Sequence, residues 1–139
     1  MMRFMMLMYP QIAEEDWNPS AEDMEAMGRY NIELREAGML LALDGLRPPS
    51  EAHSVVFEGT DARVVDGPFA EAKEVVGGYW LLQAESTEQA LEWAKKCPGV
   101  DCRVELRPIW EFDELPEQLE EIYDPKLHIG VDDSSKREA

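Results

Sequence analysis

Two segments of the chain are apolar at nearly every position, where a strand with one solvated face would alternate apolar and polar residues. They are RFMMLMY at residues 3–9 and GGYWLLQA at residues 77–84. Apolar runs of this kind are typical of strands that are covered on both faces. A fold built on these two strands must therefore supply cover on both sides of its sheet.

Helix signals separate the strands. Ser20 is a predicted N-cap for an amphipathic helix that ends at Gly38, because glycine readily adopts the left-handed conformation found at helix ends. A second helix is predicted after the capping box at residues 86–89, and Pro98-Gly99 ends it. Each helix has an apolar stripe that can pack on a sheet.

The remaining strands are shorter. Residues 39–43 form an apolar run that stops at Asp44-Gly45, and residues 102–107 alternate between apolar and charged side chains. Residues 54–58 and 63–66 are rich in β-branched side chains and flank a turn sequence, which predicts a β-hairpin.

The resulting order is strand, helix, strand, hairpin, strand, helix, strand. It predicts an α+β fold with a ferredoxin-like βαββαβ plan and an inserted β-hairpin. Two helices can cover only one face of the sheet, and a second copy of the same sheet is the simplest cover for the other face. We therefore expect a homodimer whose interface continues the core.

The length of the chain limits the number of domains, and its net charge limits the kinds of partner it can bind. A chain of 139 residues is sized for one domain, which we place at residues 1–110, with residues 111–139 as an acidic extension, partly helical and then disordered. The formal net charge of −17 opposes binding to nucleic acid and to anionic membranes. No apolar stretch is long enough to span a bilayer, and the N-terminus does not resemble a secretory signal, so we expect a cytoplasmic protein.

The sequence predicts neither a metal site nor a cofactor site. Cys97 and Cys102 do not form a zinc pattern in a chain that has only two histidines, and we interpret them as small buried side chains. The chain also contains no phosphate loop, nucleophile elbow or dinucleotide fingerprint. Any activity is therefore expected to be independent of metal and of cofactor.

Residues 64–98, VVDGPFAEAKEVVGGYWLLQAESTEQALEWAKKCP, closely resemble the signature of the YCII-related family and in particular its DGPF branch. The resemblance extends from RFMMLMY at the start of the chain through GMLLALDGLRPP to VELRPIWE, over residues 3–110. It implies a dimeric α/β barrel of ferredoxin-like protomers, with a cleft at the dimer interface as the active site. It implies no particular reaction, because most members are uncharacterised bacterial proteins.

One feature of the family does not transfer to this chain. Some relatives outside the DGPF branch carry a histidine on the first helix, which is proposed to pair with an aspartate as an acid/base dyad. This chain has no histidine before His53, and Met27, Tyr30 and Asn31 stand at that part of the helix. Tyr30 and Asn31 are therefore candidates for ligand binding or for a hydrogen bond at an interface.

The Asp-Gly-Pro turn supplies the candidate catalytic group. Asp66 ends a strand beside Gly67-Pro68, so its carboxylate either caps nearby backbone amides or acts as a general base. His53 enters the hairpin near Asp66, where it is either a second catalytic group or an ordinary surface histidine. Glu71 and Lys73 follow in the signature as solvated ions or as ligand-binding groups.

Two classes of function remain open at this point. The first is a cofactor-free enzyme that performs acid/base chemistry on a small polar molecule in the dimer cleft. The second is a non-enzymatic ligand-binding or regulatory module. An enzyme of the first class needs a titrating group inside a closed cleft, whereas a binding module does not.

Overall fold

The structure, a computed structural model, describes residues 1–67, 74–99, 101–114, 116 and 124–131. The strands are β1 (Met2–Tyr9), β2 (Leu40–Gly45), β3 (His53–Glu58), β4 (Asp61–Asp66), β5 (Gly78–Ala84) and β6 (Arg103–Pro108). The helices in these residues are α1 (Ala21–Glu36) and α2 (Thr87–Ala94), with short 3-10 helices at Glu14–Asp16, Pro49–Glu51, Phe112–Glu114 and Pro125–Leu127. The predicted α+β class is confirmed.

Both helices begin where the sequence predicted. The Ser20 hydroxyl accepts a hydrogen bond from the Asp23 backbone N–H at 3.1 Å, and the Ser86 hydroxyl accepts one from Gln89 at 3.1 Å. Each bond satisfies a backbone donor that has no partner within its helix. After α1, Gly38 adopts a positive φ of 74°, as expected of a residue that ends a helix.

The main sheet has the strand order β2-β5-β1-β6, and all neighbouring strands in it are antiparallel. Each helix connects two strands that have one other strand between them, which is consistent with a ferredoxin-like fold. Strands β3 and β4 form a separate two-stranded sheet. Within the described residues the four-stranded sheet is open at its edges, so a single chain forms no closed barrel there.

The core lies between the two helices and one face of this sheet. Phe4 and Met6 of β1, Leu82 of β5 and Leu34 of α1 are fully buried in it, and Ala90 brings α2 against the same cluster. Side chains alternate between the faces of a strand, so burial of Phe4 and Met6 directs the intervening residues of β1 to the opposite face. That face needs a cover of its own.

Residues from the C-terminal part of the same chain lie on the opposite face. Arg3 of β1 is only 6% exposed, and its Nε atom is 3.2 Å from each carboxylate oxygen of Glu111. Its Nη1 atom donates to the Ile129 carbonyl at 2.9 Å. Gly130 follows at φ 82° against Leu41, where an added Cβ would stand 2.5 Å from the leucine Cδ1 atom. The sheet around Arg3 and Leu41 is thus covered without a second copy.

The β3–β4 hairpin, in contrast, exposes much of its apolar surface. Val55, Phe57 and Val64 are 54%, 68% and 69% exposed, although such side chains are normally covered.

Among the described residues, no helix combines the length and the apolarity that a bilayer crossing requires.

Replacing Glu111 by glutamine should lower the free energy of unfolding by about 2 kcal/mol, because the buried Arg3 guanidinium loses its charged partner. Glu51→Gln is the matched control, since Glu51 pairs with Arg47 at the surface and its loss should cost less than about 1 kcal/mol. Urea unfolding followed by circular dichroism compares the two variants. Equal losses would show that Arg3 does not depend on the Glu111 charge.

Candidate functional site

A cleft of about 790 Å³ opens between the N-terminal half of α1 and the neighbouring ends of β2 and β5. Its lining side chains are mostly apolar and include Met8, Met24, Met27, Leu43 and Trp80. The fold leaves this space because Met24, Ala26 and Gly28 stand on the N-terminal half of α1, whereas the bulky buried residues Tyr30 and Leu34 follow in its C-terminal half. The cleft is thus a gap between helix and sheet within one chain.

Gly77, on the sheet side of the cleft, is closely packed against the segment that follows β1. A Cβ atom at Gly77 would stand 2.5 Å from the Pro10 ring, so only glycine fits there without a shift. Its backbone carbonyl also accepts from the Leu46 N–H, and its own N–H donates to the Met8 carbonyl at 2.7 Å. These contacts hold the entry to β5 against the segment that follows β1.

Asn31 and Trp80 form a fixed polar pair in the cleft. The indole N–H of Trp80 donates to Asn31 Oδ1 at 2.8 Å. Because an indole nitrogen can only donate, the asparagine oxygen must face it, and the amide nitrogen is the group left to bind elsewhere. In the described part of the chain this nitrogen has no partner, so Asn31 can donate to a ligand. The sequence-predicted ligand residue Asn31 therefore does line the cleft.

Tyr30, the other predicted ligand residue on α1, has a different position. Its ring is buried in the core and packs edge-on against Trp80, with 6.2 Å between ring centroids. Its hydroxyl donates to the Trp93 carbonyl at 2.7 Å, and burial, with a smaller effect of Cys97, raises its pKa. The hydroxyl of Tyr30 is therefore engaged in joining α1 to α2, and Tyr30 is not among the residues that line the cleft.

Asp44 and Tyr79 form a polar pair beside the cleft, and their side chains point to the sheet face opposite α1, because their neighbours Leu43 and Trp80 point toward the helices. They are partners in the β2–β5 register, and the Tyr79 hydroxyl donates to Asp44 Oδ2 at 3.1 Å. This hydrogen bond and the nearby negative charge of Asp44 raise the pKa of Tyr79, because both favour the protonated phenol. Tyr79 therefore remains a neutral donor that orients the Asp44 carboxylate.

The two cysteines are half-buried thiols. Burial, followed by the nearby Cys102, raises the pKa of Cys97 to about 12. Burial and then the charge of Asp101 also raise the pKa of Cys102, which lines the cleft. A thiol with a raised pKa is a poor nucleophile and metal ligand at neutral pH, since both roles need the thiolate.

His53 and Asp66 lie outside this cleft, on the hairpin. They are cross-strand partners in the β3–β4 register, and His53 Nδ1 is 2.7 Å from Asp66 Oδ1. The proximity expected from the sequence is present, but the two side chains are 72% and 77% exposed. A smaller concavity of about 490 Å³ begins beside them at Ala52. Their catalytic role stays a prediction.

Glu71 and Lys73, the other two predicted ligand-binding residues, lie outside the described residues. Sequence reasoning missed Trp80 as a member of the site, and it missed the Asp44–Tyr79 pair beside it. The sequence held a usable signal at Asp44, which is an aspartate between a strand end and a glycine. It was interpreted only as the end of the strand. Its pairing with Tyr79 depends on the β2–β5 register, which the sequence alone did not provide.

An open antiparallel sheet with two helices on one face and a cleft beneath the first helix defines an α+β protein with a ligand-sized site. The YCII-related domain family model matches residues 2–113, and the chain belongs to this family. The match includes Arg3 and Glu111 but ends before Ile129. An uncharacterized protein of Rhizobium meliloti (strain 1021) is 31% identical over 99 residues, which are 68% of this chain and 77% of that protein.

Proposed function

We propose that the protein binds a small molecule in the cleft beneath α1. The cleft itself carries this proposal, because its volume of about 790 Å³ lies within the roughly 300–1,000 Å³ that is usual for small-molecule sites. Such sites combine an apolar lining with a few placed polar groups. The methionines and Trp80 provide the first feature, and Asn31 provides the second.

The methionines suit the cleft to an apolar ligand body. Met8, Met24 and Met27 have flexible, polarisable side chains that can adapt to the outline of a ligand. Asn31, in contrast, is held by Trp80 and offers its amide N–H groups in a fixed direction. The ligand we propose has an apolar body and at least one polar group that accepts from Asn31.

We also propose a cytoplasmic homodimer of the DGPF branch. The DGPFAEAKE string followed by GGYWL supports the branch, and the net charge of −17 supports a partner other than nucleic acid. The exposed apolar side chains of the hairpin support a second copy as the partner, because an isolated two-stranded sheet is only marginally stable in water. Two copies in a dimeric α/β barrel would cover each other's hairpins by two-fold symmetry.

An acid/base enzyme is the second candidate function. The 2.7 Å contact between His53 and Asp66 favours it, because a carboxylate can orient an imidazole as a general base. Both side chains are well solvated in one chain, so catalysis would need a second copy to enclose them. Glu71 and Lys73 stay in this proposal as contacts to a small polar substrate, and no cofactor is invoked.

Gly28→Leu should abolish binding in the cleft while leaving the protein folded. Gly28 lies in α1 with no atom within 4 Å of an added Cβ, so a leucine can extend into the cleft without a clash. N-phenyl-1-naphthylamine, a neutral apolar fluorophore, is the probe, and its emission on titration gives the affinity. We expect leucine to weaken binding by about tenfold or more.

Gly28→Ala is the control at the same position. Alanine gives the same gain in helix propensity, about 1 kcal/mol at most, but it fills little of the cleft. It should bind the fluorophore nearly as well as the natural protein. Equal affinities for the leucine variant and the natural protein would place the binding site elsewhere and reject the cleft.

Phe57→Glu should convert a dimer to a monomer. The natural protein should sediment as a dimer at micromolar concentration, and a charge at this exposed hairpin position should prevent two hairpins from packing. Leu91→Glu is the control, because Leu91 is an apolar residue on α2 that is also exposed, at 44%. Sedimentation of the natural protein as a monomer would contradict the homodimer.

Asp66→Asn separates the enzyme from the binding protein. The pair is exposed, so the melting temperature should change by less than about 3 °C, whereas any turnover should fall about a hundredfold or more. Mixtures of small polar metabolites, followed by NMR, give the turnover, and Asp61→Asn at the other end of the hairpin is the control. A variant that melts much earlier but turns over normally would assign Asp66 to architecture.

A further inference from the structure

We infer that the cleft selects uncharged carbonyl compounds, and that Trp80 is the positioning residue that sets this preference by fixing which end of the Asn31 amide faces the ligand. This ligand class deepens the proposed function and rests on it, because it concerns the same cleft. Three features of the molecule carry it: the hydrogen bonding of Asn31, the open space beside Asn31 on α1, and the charges of the lining.

The side-chain amide of Asn31 is held in one orientation. An amide can present either its oxygen or its nitrogen, and a half-turn about χ2 exchanges the two. The Trp80 indole N–H donates to Asn31 Oδ1 at 2.8 Å. Because Trp80 is only 5% exposed, a flip of the amide would leave this N–H without a partner inside the protein, which is unfavourable. The nitrogen of the amide is therefore the end that a ligand meets.

This nitrogen is open to a ligand. It has no hydrogen-bond partner among the described residues, and within those residues no buried side-chain nitrogen or oxygen lacks a partner. The Asn31 nitrogen must therefore be reached by solvent. Gly28 lies three positions earlier in α1, where side chains of successive turns are neighbours, and it has no side chain that could cover the amide. A ligand in the cleft can thus accept from Asn31.

A donor at this position favours a carbonyl oxygen over other polar groups. A carbonyl oxygen only accepts, so an amide N–H satisfies it without a further partner. A hydroxyl group can accept as well, but its own hydrogen then needs an acceptor, and the lining is mostly apolar. An ammonium group has only donors, and it would meet a donor at Asn31.

The charges around the cleft oppose an ionic ligand at Asn31. None of the described lining residues is a lysine, arginine or histidine, and the net charge is −17, so a carboxylate or phosphate would lose hydration without gaining a counter-ion. Asp23 is the carboxylate that α1 contributes to the lining. It stands eight residues before Asn31, about 12 Å along the helix axis, which is too far to pair with a cation held at Asn31. An uncharged acceptor fits this position best.

Three probes share one ring system and differ in the group that they offer to Asn31: 2-acetylnaphthalene, 1-(2-naphthyl)ethanol and 2-naphthoate. Their displacement of N-phenyl-1-naphthylamine from the full chain, at about 150 mM salt to screen surface charge, gives their affinities. We expect the ketone to bind about fivefold tighter than the alcohol, and the carboxylate to bind weakest. Tighter binding of the alcohol or of the carboxylate than of the ketone would overturn the inference.

Asn31→Asp tests the donor. The ionised carboxylate has almost the same shape and still accepts from Trp80, but it presents an acceptor where the amide presents a donor. We expect the preference for the ketone over the alcohol to fall by about tenfold or more, and so to reverse. Asn18→Asp makes the same change of charge outside the cleft lining and should leave the preference unchanged. Equal falls in both variants would assign the effect to the general field and overturn the inference.

Trp80→Phe tests the positioning role. Phenylalanine keeps an aromatic ring but has no N–H, so the amide can present either end to the ligand. We expect the preference for the ketone to disappear without the reversal expected of Asn31→Asp, whereas a purely structural loss would weaken both probes equally. Trp93→Phe removes an indole that also packs against the core but lies outside the lining, and it should keep the preference. An unchanged preference in Trp80→Phe would overturn the role of Trp80.

The alcohol keeps the two proposals distinguishable. Equal affinities for the ketone and the alcohol, both abolished by Gly28→Leu, would overturn the carbonyl preference and support the cleft as a binding site. If N-phenyl-1-naphthylamine itself does not bind and the three probes do not bind in direct calorimetric titration, the proposed function and the carbonyl preference are overturned together. If Trp80→Phe does not fold, Asn31→Asp with its Asn18→Asp control still decides whether the amide donor sets the preference.

Discussion

The two central strands of the sheet, β1 and β5, need cover on both faces, and the rest of the structure follows from how the chain supplies it. One face receives α1 and α2, which bury Phe4, Met6 and Leu82. The other receives C-terminal residues that are held at Arg3, a charged side chain that is nearly inaccessible to water. Removal of a guanidinium from water is costly unless a carboxylate and further acceptors replace the lost hydration. Glu111 and the Ile129 carbonyl do so, and they thereby bring Ile129 and Gly130 onto the sheet.

The cleft results from an uneven cover on the helix side. In α1 the large residues Tyr30 and Leu34 reach the sheet and close the core, and Tyr30 also joins α1 to α2 through the Trp93 carbonyl. The preceding turns of the same helix present Gly28 and flexible methionines, which cannot fill the same depth. Trp80 lies at the boundary, where Tyr30 contacts its ring and Asn31 accepts its N–H. The packing that stabilises the core thus also orients the polar group of the site.

Local sequence signals predicted the elements well, because each depends on few neighbouring residues. The caps at Ser20 and Ser86 need only a hydroxyl three residues before a backbone N–H. The contact of His53 with Asp66 was also accessible, since the hairpin turn alone sets their register. The cleft was not accessible, because Asn31 of α1 meets Trp80 of β5 only through the packing of elements that are far apart in sequence. Cover by the C-terminal residues was missed for a related reason: a charged residue within an apolar run gave no sign of a partner more than one hundred residues away.

The two candidate functions differ in whether they need a second copy of the chain, and this difference ranks one above the other. The cleft is lined by α1, the sheet and the segments after β1 and α2, all from one chain, so binding there needs no second copy. The His53–Asp66 pair is open to water in one chain, and a general base gains from a site that excludes water. Catalysis at the hairpin therefore requires the dimer, whereas binding in the cleft does not. A small-molecule site that one chain completes is the simpler reading of this geometry, and an active site at the hairpin would be an additional property of the assembled protein.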